Sequence, residues 1–252
     1  MKKIFLISFT FMIAFFTLLN RVYGAELDLL KPGVVIIAHD DSYPPYEWAE
    51  NGKSMGFDVD LVKAVIERMG LKVEFKPDAW ANVLISVKVG KADAIQSAEI
   101  QEDRKKSYDF SESYGSFVSA LFVKTEDKSI QSLKDLEGKI IAGQRDSFEI
   151  NYVRQNYPGI QVYLTQDPLK AIESVLRGRA AACVVDKQVG LYLIKKNFPG
   201  KLKNVGEEFG QTLQGLAVLK GTKAEFLKKF NQALSEIKAD GTYDRIYAQW
   251  FK

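Results

Sequence analysis

The stretch that decides the fold is 58–98, "DVDLVKAVIERMGLKVEFKPDAWANVLISVKVGKADAIQSA". Its first part carries apolar residues at 59, 62, 66 and 69 on one helical face and stops at Gly70, which is typical of an amphipathic helix. "KVEFK" alternates as a strand, "WANVLISVKVG" returns to helical spacing, and "ADAIQSA" is again strand-like. A buried strand, "VVIIA", precedes the stretch. The β-α-β-α-β order predicts a mostly parallel sheet covered by helices.

A second series of the same kind follows. "FVSALFV", "KIIAG", "IQVYL" and "AACVV" are predicted strands, and helices are predicted from about Ser147, in "PLKAIESVLRG" and in "KQVGLYLIKKN". "KSIQSLKDLEG" is a polar connection with a short helix. "LQGLAVLK" predicts one more strand, and two amphipathic helices close the chain. Because no linker rich in Pro, Gly or Ser separates the two series, we expect an α/β protein of two lobes joined by ordered crossover strands around a cleft.

The N-terminus has the pattern of a secretory signal peptide. "MKK" is basic, an apolar run of 16 residues spans Ile4 to Leu19, and Val22 and Gly24 stand at the −3 and −1 positions of a cleavage site. A membrane anchor is the alternative, although the run is shorter than the ~20 residues of a spanning helix. With no cysteine near the cleavage site, we expect a periplasmic protein that is not a lipoprotein, with the signal at 1–24.

Charge and composition exclude several classes of function. The signal holds three of the 35 basic residues, so 35 − 3 = 32 remain against 32 acidic ones, and nothing indicates a nucleic-acid partner. Cys183 is the single cysteine and His39 the single histidine, so zinc sites and Ser-His-Asp or Cys-His mechanisms lack partners. We predict no disulfide, metal site, cofactor or catalytic residue, and a monomer.

Ligands of open α/β sheets bind beyond the carboxyl ends of the strands, so residues directly after strands are the candidates. "HDDSYPPYEW" follows the first strand, where Asp40 either pairs with a cation or caps a turn. The prolines stiffen this loop, and Tyr43 is a candidate aromatic platform for the ligand. Trp80, in the first turn of a later helix, faces either the cleft or the core.

Three further candidates lie at later strand ends. Arg104 follows "QSAEIQED" and either balances acidic neighbours at the surface or clamps a carboxylate with its planar fork. Ser147 or Asp146 caps the helix after "KIIAG", where free N–H groups favour an anion. Asp186, after "AACVV", either binds an ammonium group or caps the next helix.

Four segments together resemble the periplasmic polar-amino-acid-binding proteins of ABC transporters, the extracellular solute-binding protein family 3. They are "YPPYEW…GFDVDLVKAV", "ADAIQSAEIQEDRKKSYDFSESY", "SLKDLEGK" and "NQALSEIKADGTYDRIYAQWF", and the similarity covers essentially the whole mature chain. The resemblance implies a type II periplasmic-binding-protein fold that closes on its ligand like a hinge. We expect one lobe from 25–116 and 213–252 and the other from 117–212.

The resemblance also implies roles for the candidates. Arg104 is similar to the family arginine that clamps the ligand α-carboxylate, and Asp186 to the acid that takes the α-amino group. Tyr43 and Trp80 resemble the flanking aromatics; the remaining implied contacts are Ser97, Ala98 and Ser147. The chain departs from the pattern at Glu99 and Gln101, where small or hydroxyl residues are common, and at Asp146 and Phe148.

We therefore expect a binding protein that captures a small zwitterion, most simply a polar or cationic amino acid, and delivers it to an ABC permease. Acids at 40, 41 and 99 favour the polar or cationic side chain. One alternative is a ligand-sensing protein that docks onto a membrane sensor. Another is a cyclohexadienyl or arogenate dehydratase on the same fold, with Glu99 or Glu173 as the acid.

Overall fold

The computed structural model describes residues 27–251. The strands within them are β1 (Val34–Asp40), β2 (Ser42–Tyr43), β3 (Glu47–Glu50), β4 (Lys53–Met55), β5 (Lys72–Asp78), β6 (Ala94–Glu99), β7 (Tyr108–Phe110), β8 (Gly115–Lys124), β9 (Ile140–Gln144), β10 (Gln161–Thr165), β11 (Ala182–Asp186) and β12 (Leu202–Leu219). The helices are α1 (Phe57–Arg68), α2 (Trp80–Ser86), α3 (Glu102–Lys105), α4 (Phe148–Asn156), α5 (Pro168–Leu176), α6 (Lys187–Asn197), α7 (Ala224–Ala239) and α8 (Thr242–Phe251), and a 3₁₀-helix covers Leu133–Leu136.

The first predicted β-α-β-α-β unit is confirmed. β1 pairs in parallel with β5, from Val34 opposite Lys72 to Asp40 opposite Asp78, and also in parallel with β6. α1 connects β1 to β5 and buries the apolar face that the sequence predicts, with Val62, Val65 and Ile66 among its fully buried residues. The parallel register brings the carboxyl ends of the three strands to one edge.

The second unit has the same construction. β9 pairs in parallel with β10 and with β11, and α4 and α5 provide the crossovers. One side of its core is a separate cluster around Ile141, Ile150 and Val184. The other side, with Ala171 and Val175 of α5, belongs to the large cluster that also holds the core of the first unit.

Two long strands join the groups into one nine-stranded sheet of order β10-β9-β11-β8-β12-β6-β1-β5, with β7 also on β12. β8 pairs antiparallel with β11, and β12 pairs antiparallel with both β8 and β6. The prediction placed the last strand at "LQGLAVLK", whereas β12 begins at Leu202 and has 18 residues. Its polar first part, "LKNVGEEFGQT", lacks the apolar pattern of a buried strand because much of it is exposed.

Smaller elements that the sequence did not indicate shape the cleft side. β2, β3 and β4 form a separate three-stranded sheet from the loop after β1. Gly56 precedes α1 with a φ of 130°, and a Cβ there would lie 2.2 Å from the Tyr46 carbonyl oxygen. Only glycine allows this close approach, which ties the β2–β3 loop to the start of α1.

The remaining predictions concern the signal segment, membrane-spanning helices, metal sites and disulfides. The signal segment 1–24 lies outside the described residues. Within 27–251, no helix has the length and apolar character needed to cross a bilayer. The same residues contain no group of three or more His, Cys, Asp or Glu side chains suited to a metal ion, and Cys183 is buried.

Candidate functional site

A narrow cavity of about 10 Å³ lies where the ends of β1, β6 and β9 meet, which is room for about one water molecule between closely packed walls. Aromatic rings and carboxyl groups dominate its wall. The lining residues are Asp40, Tyr43, Glu47, Trp80, Ser97, Glu99, Phe117, Gln144 and Ser147. They come from both β-α-β units, as expected for a ligand enclosed between two lobes.

Arg104 stands beside this cavity in a tight set of contacts. One guanidinium nitrogen forms an ion pair with Glu99, and the side chains of the two residues are 11% and 8% exposed. The other nitrogen donates to the Asp146 carbonyl oxygen at 3.3 Å, and the guanidinium carbon lies 5.1 Å from the centre of the Trp80 ring. Arg104 is therefore a largely buried cation in contact with two residues of the cavity wall, Glu99 and Trp80.

The surface interpretation of Arg104 is wrong because its acidic neighbours have other partners. Glu102 pairs with Lys105 at 2.7 Å, and Asp103 pairs with Lys106 at 2.7 Å. These ion pairs lie on the exposed side of α3, where they contribute little to the free energy of unfolding.

Asp186 ends β11 and caps α6. Its Oδ1 accepts hydrogen bonds from the backbone N–H groups of Gln188 and Val189 at 2.9 and 3.1 Å, and its Oδ2 accepts from Val118 at 3.1 Å. Burial raises the pKa of Asp186 to about 7 against the lowering effect of these donors. The helix-cap interpretation is thus confirmed.

Ser147 is the N-cap of α4 and accepts from the Ile150 N–H at 3.4 Å. Asp146 instead occupies the left-handed region with a φ of 61°. This conformation leaves its carbonyl oxygen facing the first unit, where both Trp80 Nε1 and Arg104 donate to it at 3.3 Å. One backbone oxygen of the second unit therefore holds two side chains of the first.

Tyr43 brings the aromatic and acidic parts of the site together. Its ring centre lies 5.8 Å from that of Phe117, and its hydroxyl is 3.5 Å from the Glu149 carboxyl. Burial raises the pKa of Tyr43 above its usual range, and the nearby carboxyls of Glu149, Asp186 and Glu99 raise it further. Three acids from both units thus surround one phenol.

Asp40 connects the units from the opposite wall. Its Oδ2 accepts from Gln144 Nε2 at 2.6 Å, and its Oδ1 accepts from the N–H and hydroxyl of Ser42 at 2.9 Å each. Burial raises its pKa to about 7 despite these donors. Asp40 therefore caps the turn through Ser42, and it also lines the cavity.

Six of the nine predicted site residues line the cavity: Asp40, Tyr43, Trp80, Ser97, Glu99 and Ser147. Arg104 and Asp186 are outside this lining. Ala98 is 1% exposed and its side chain packs in the apolar cluster under α2, so the expected contact of its backbone with the ligand stays a prediction.

Sequence reasoning missed four residues at the site. Gln144 ends β9, so the strand-end rule could have found it. Glu47 and Phe117 line the cavity, and Glu149 lies in the first turn of α4. Burial raises the pKa of Glu149 to about 7, with Glu99 as the next cause. Nothing in the local pattern marked these three, because their approach depends on the packing of distant segments.

Comparisons with known proteins agree with this architecture. The L-cystine-binding protein TcyJ of Escherichia coli (strain K12) is 31% identical over 223 residues, which cover 87% of this chain and 83% of that protein. A solved structure of an ancestral arginine-binding protein bound to glutamine superposes with a TM-score of 0.82 at 38% identity, covering 88% of this chain and 99% of that one. A solved structure of a histidine kinase sensor domain with similarity to periplasmic binding proteins superposes with a TM-score of 0.82 at 30% identity. The match covers 86% of this chain and 96% of that one.

The similarity extends over the whole of the described fold and supports the two-lobe type II periplasmic-binding-protein architecture. Residues 35–252 match the family described as bacterial extracellular solute-binding proteins, family 3. The match begins at the second residue of β1 and includes both β-α-β units and the two closing helices. The chain belongs to family 3 of the bacterial extracellular solute-binding proteins.

Proposed function

We propose that this protein captures a small zwitterion, a polar or cationic amino acid, between its two lobes and delivers it to an ABC permease. The observation that carries the proposal is the cavity at the strand ends, walled by aromatic rings and carboxyls and flanked by Arg104. Relatives named as cystine- and arginine-binding proteins support an amino-acid ligand.

Arg104 is our candidate for the ligand carboxylate. Its planar fork can donate two parallel hydrogen bonds, which lysine cannot do. Its current partner, Glu99, occupies part of that fork. The ligand carboxylate therefore has to share the guanidinium with Glu99 or displace it. The N-terminus of α4 at Ser147 offers further donors on the opposite wall.

The acids are our candidates for the cationic end of the ligand. Asp186 keeps a carboxylate beside Tyr43 and takes the ammonium group, and Asp40 and Glu99 face the side chain from the cavity wall. Tyr43 and Trp80 stack on its apolar stem. Removal of water on closure strengthens all these contacts, because charges interact more strongly at low dielectric.

We further propose a periplasmic monomer whose signal peptide at 1–24 is cleaved without acylation. Lobe 1 comprises 25–116 and 213–252, and lobe 2 comprises 117–212, so that β8 and β12 cross between them. We also propose that the site performs no catalysis. Incubation with prephenate and arogenate tests this point, since formation of either dehydration product contradicts it.

Calorimetry against the twenty amino acids tests the proposed function. The protein is first purified, then unfolded and refolded. We expect binding of one or a few polar or cationic amino acids, with an affinity lowered strongly in Arg104→Ala and unchanged in the matched variant Lys105→Ala. Lys105 lies next to it on α3 but pairs with exposed Glu102. Binding only of anionic amino acids, or equal affinity in both variants, refutes the proposal.

A docking role on a membrane sensor is the second candidate, favoured by the similarity to the kinase sensor domain. A ligand-dependent complex with a sensor ectodomain, but none with any permease, supports this alternative. Stimulation of permease ATPase activity by the liganded protein supports the transport role.

A further inference from the structure

Two buried acids share one hydroxyl under the floor of the cavity. Ser97 Oγ lies 2.7 Å from Glu47 Oε2 and is also in hydrogen-bond contact with Asp58 Oδ2. The three residues are 4%, 1% and 0% exposed, so water does not separate them. They come from β6, β3 and α1, and Glu47 and Ser97 line the cavity itself.

Counting protons shows that this arrangement requires an extra one. A serine hydroxyl has one proton, so it can donate to one carboxylate only. The second carboxyl oxygen can approach the same Oγ as a partner only by donating a proton of its own. With both acids ionised, one of the contacts would join two acceptors, and two buried negative charges would stand side by side.

The surroundings favour one proton and one charge in the pair. Glu47 also accepts from the Asp40 N–H at 3.0 Å and from Gln96 Nε2 at 2.9 Å, which are neutral donors. Asp58 lies in the first turn of α1, where the helix dipole favours a negative charge. If both carboxyls were ionised, these neutral groups would not compensate both negative charges. That state is disfavoured because burial of an unpaired charge is costly.

Within residues 27–251, the titratable groups that face the pair are acids and tyrosines. They are Asp40 from β1, Tyr46 from the β2–β3 loop, Tyr114 before β8, Asp186 from β11 and Tyr243 from α8. Burial, together with the neighbouring acid, raises the pKa of Glu47 well above its usual range, and burial raises that of Asp58 to about 7. Arg104, a cation beside the cavity, is engaged by Glu99.

Two neutral amides flank the pair. Gln96 and Gln214 flank the two acids, and both have an Oε1 atom that is buried without a hydrogen-bond partner in the described structure. Gln214 Nε2 makes only a long contact of 3.4 Å to Asp58 Oδ1. Both amides are neutral, so neither supplies the positive charge that a doubly ionised pair would need.

We propose that Glu47, Ser97 and Asp58 form a proton-binding site that holds one proton in the empty protein and releases it when a cationic group of the ligand enters the cavity. The release rests on the proposed function, whereas the bound proton does not. A positive charge next to Glu47 and Ser97 favours the doubly ionised pair, so the ligand cation takes the place of the proton. Binding should then tighten with rising pH, by up to about tenfold per pH unit while the pair titrates.

Infrared spectroscopy of the unliganded protein at pH 7 tests the bound proton. We expect a carbonyl band of a protonated carboxyl in the wild type that changes in both variants. The band should be lost in whichever of Glu47→Gln and Asp58→Asn removes the protonated acid, and should shift in the variant that removes its partner across Ser97. Glu67→Gln on the exposed side of α1 serves as the control and should keep the band. A band that stays unchanged in one of the two acid variants contradicts sharing, and a band unchanged in both refutes the site.

Ser97→Ala provides a second infrared test if either acid variant does not fold. It keeps both acids and removes the bridging hydroxyl, so the band should shift in frequency. An unshifted band in this variant also refutes the site.

Calorimetry with L-arginine in two buffers of different ionisation enthalpy tests the release. We expect about one proton released per arginine bound in the wild type and a smaller release in both Glu47→Gln and Asp58→Asn. Release that is retained in both variants assigns the proton to another group and refutes the coupling. Absence of binding by any amino acid instead refutes the proposed function and leaves the infrared result standing.

Discussion

Asp40→Asn should make the unliganded protein less sensitive to pH. Asp40 is 2% exposed, and burial raises the pKa of its carboxyl to about 7 from an ordinary value of 3.8. A carboxyl whose folded pKa is raised stabilises the fold while it is neutral. That stability is fully present below the unfolded pKa and is lost as pH rises through the folded pKa.

The magnitude follows from the shift. Each pKa unit corresponds to about 1.4 kcal/mol, so full ionisation of Asp40 in the fold costs about 4 kcal/mol relative to the unfolded chain. At pH 5 ionisation of Asp40 lowers the free energy of unfolding by only about 1.5 kcal/mol, and at pH 8 it lowers it by nearly the full amount. Asparagine has no such cost. Relative to the wild type, the variant should therefore gain about 3 kcal/mol in its free energy of unfolding between these two pH values.

Urea denaturation at pH 5 and pH 8, with the free energy of unfolding extrapolated to water, measures this change. The variant has an offset of its own, because Asn Nδ2 would meet the Gln144 amide that now donates to Asp40 at 2.6 Å. The offset is common to both pH values and cancels in the comparison. Glu102→Gln is the control, since the Glu102 side chain is 88% exposed. The reasoning is refuted if Asp40→Asn and the wild type differ by the same amount at both pH values.

Three further outcomes are expected. Arg104→Ala should weaken amino-acid binding by about 3 kcal/mol, roughly a hundredfold, because the carboxylate loses a charged fork; calorimetry showing less than a threefold loss contradicts this role. Asp186→Ala should lower the free energy of unfolding at pH 5, where the carboxyl is largely neutral in the fold, by about 1–2 kcal/mol through the lost cap of α6, and unchanged urea midpoints would count against it. Gly190→Ala should cost about 1–3 kcal/mol, because its Cβ would lie 2.3 Å from the Phe122 ring; a thermal midpoint equal to that of exposed Leu191→Ala would show that the ring moves freely.

The predictions that held depend on local patterns. Helical spacing in 58–70 and strand alternation in 72–76 are properties of neighbouring residues, so the β-α-β-α-β order could be predicted directly. The rule that ligands bind at strand ends then led to Asp40, Glu99 and Asp186, which do end β1, β6 and β11. The extent of β12 could not be predicted, because its exposed first part has no apolar periodicity and is held by pairing with β8.

The sequence by itself determined the two β-α-β series, the helix that begins after Ser147 and the type of each residue at the strand ends. Tertiary structure alone decided which of those residues meet. In "QSAEIQEDRKK", Arg104 pairs with Glu99, five positions earlier, while Glu102 and Asp103 turn to lysines on the exposed side. Ser97 reaches Glu47 and Asp58, which are 50 and 39 positions away, because β3, in the small sheet, and the start of α1 pack beside the end of β6. Contacts of this range follow from sheet order and packing, which no local pattern encodes.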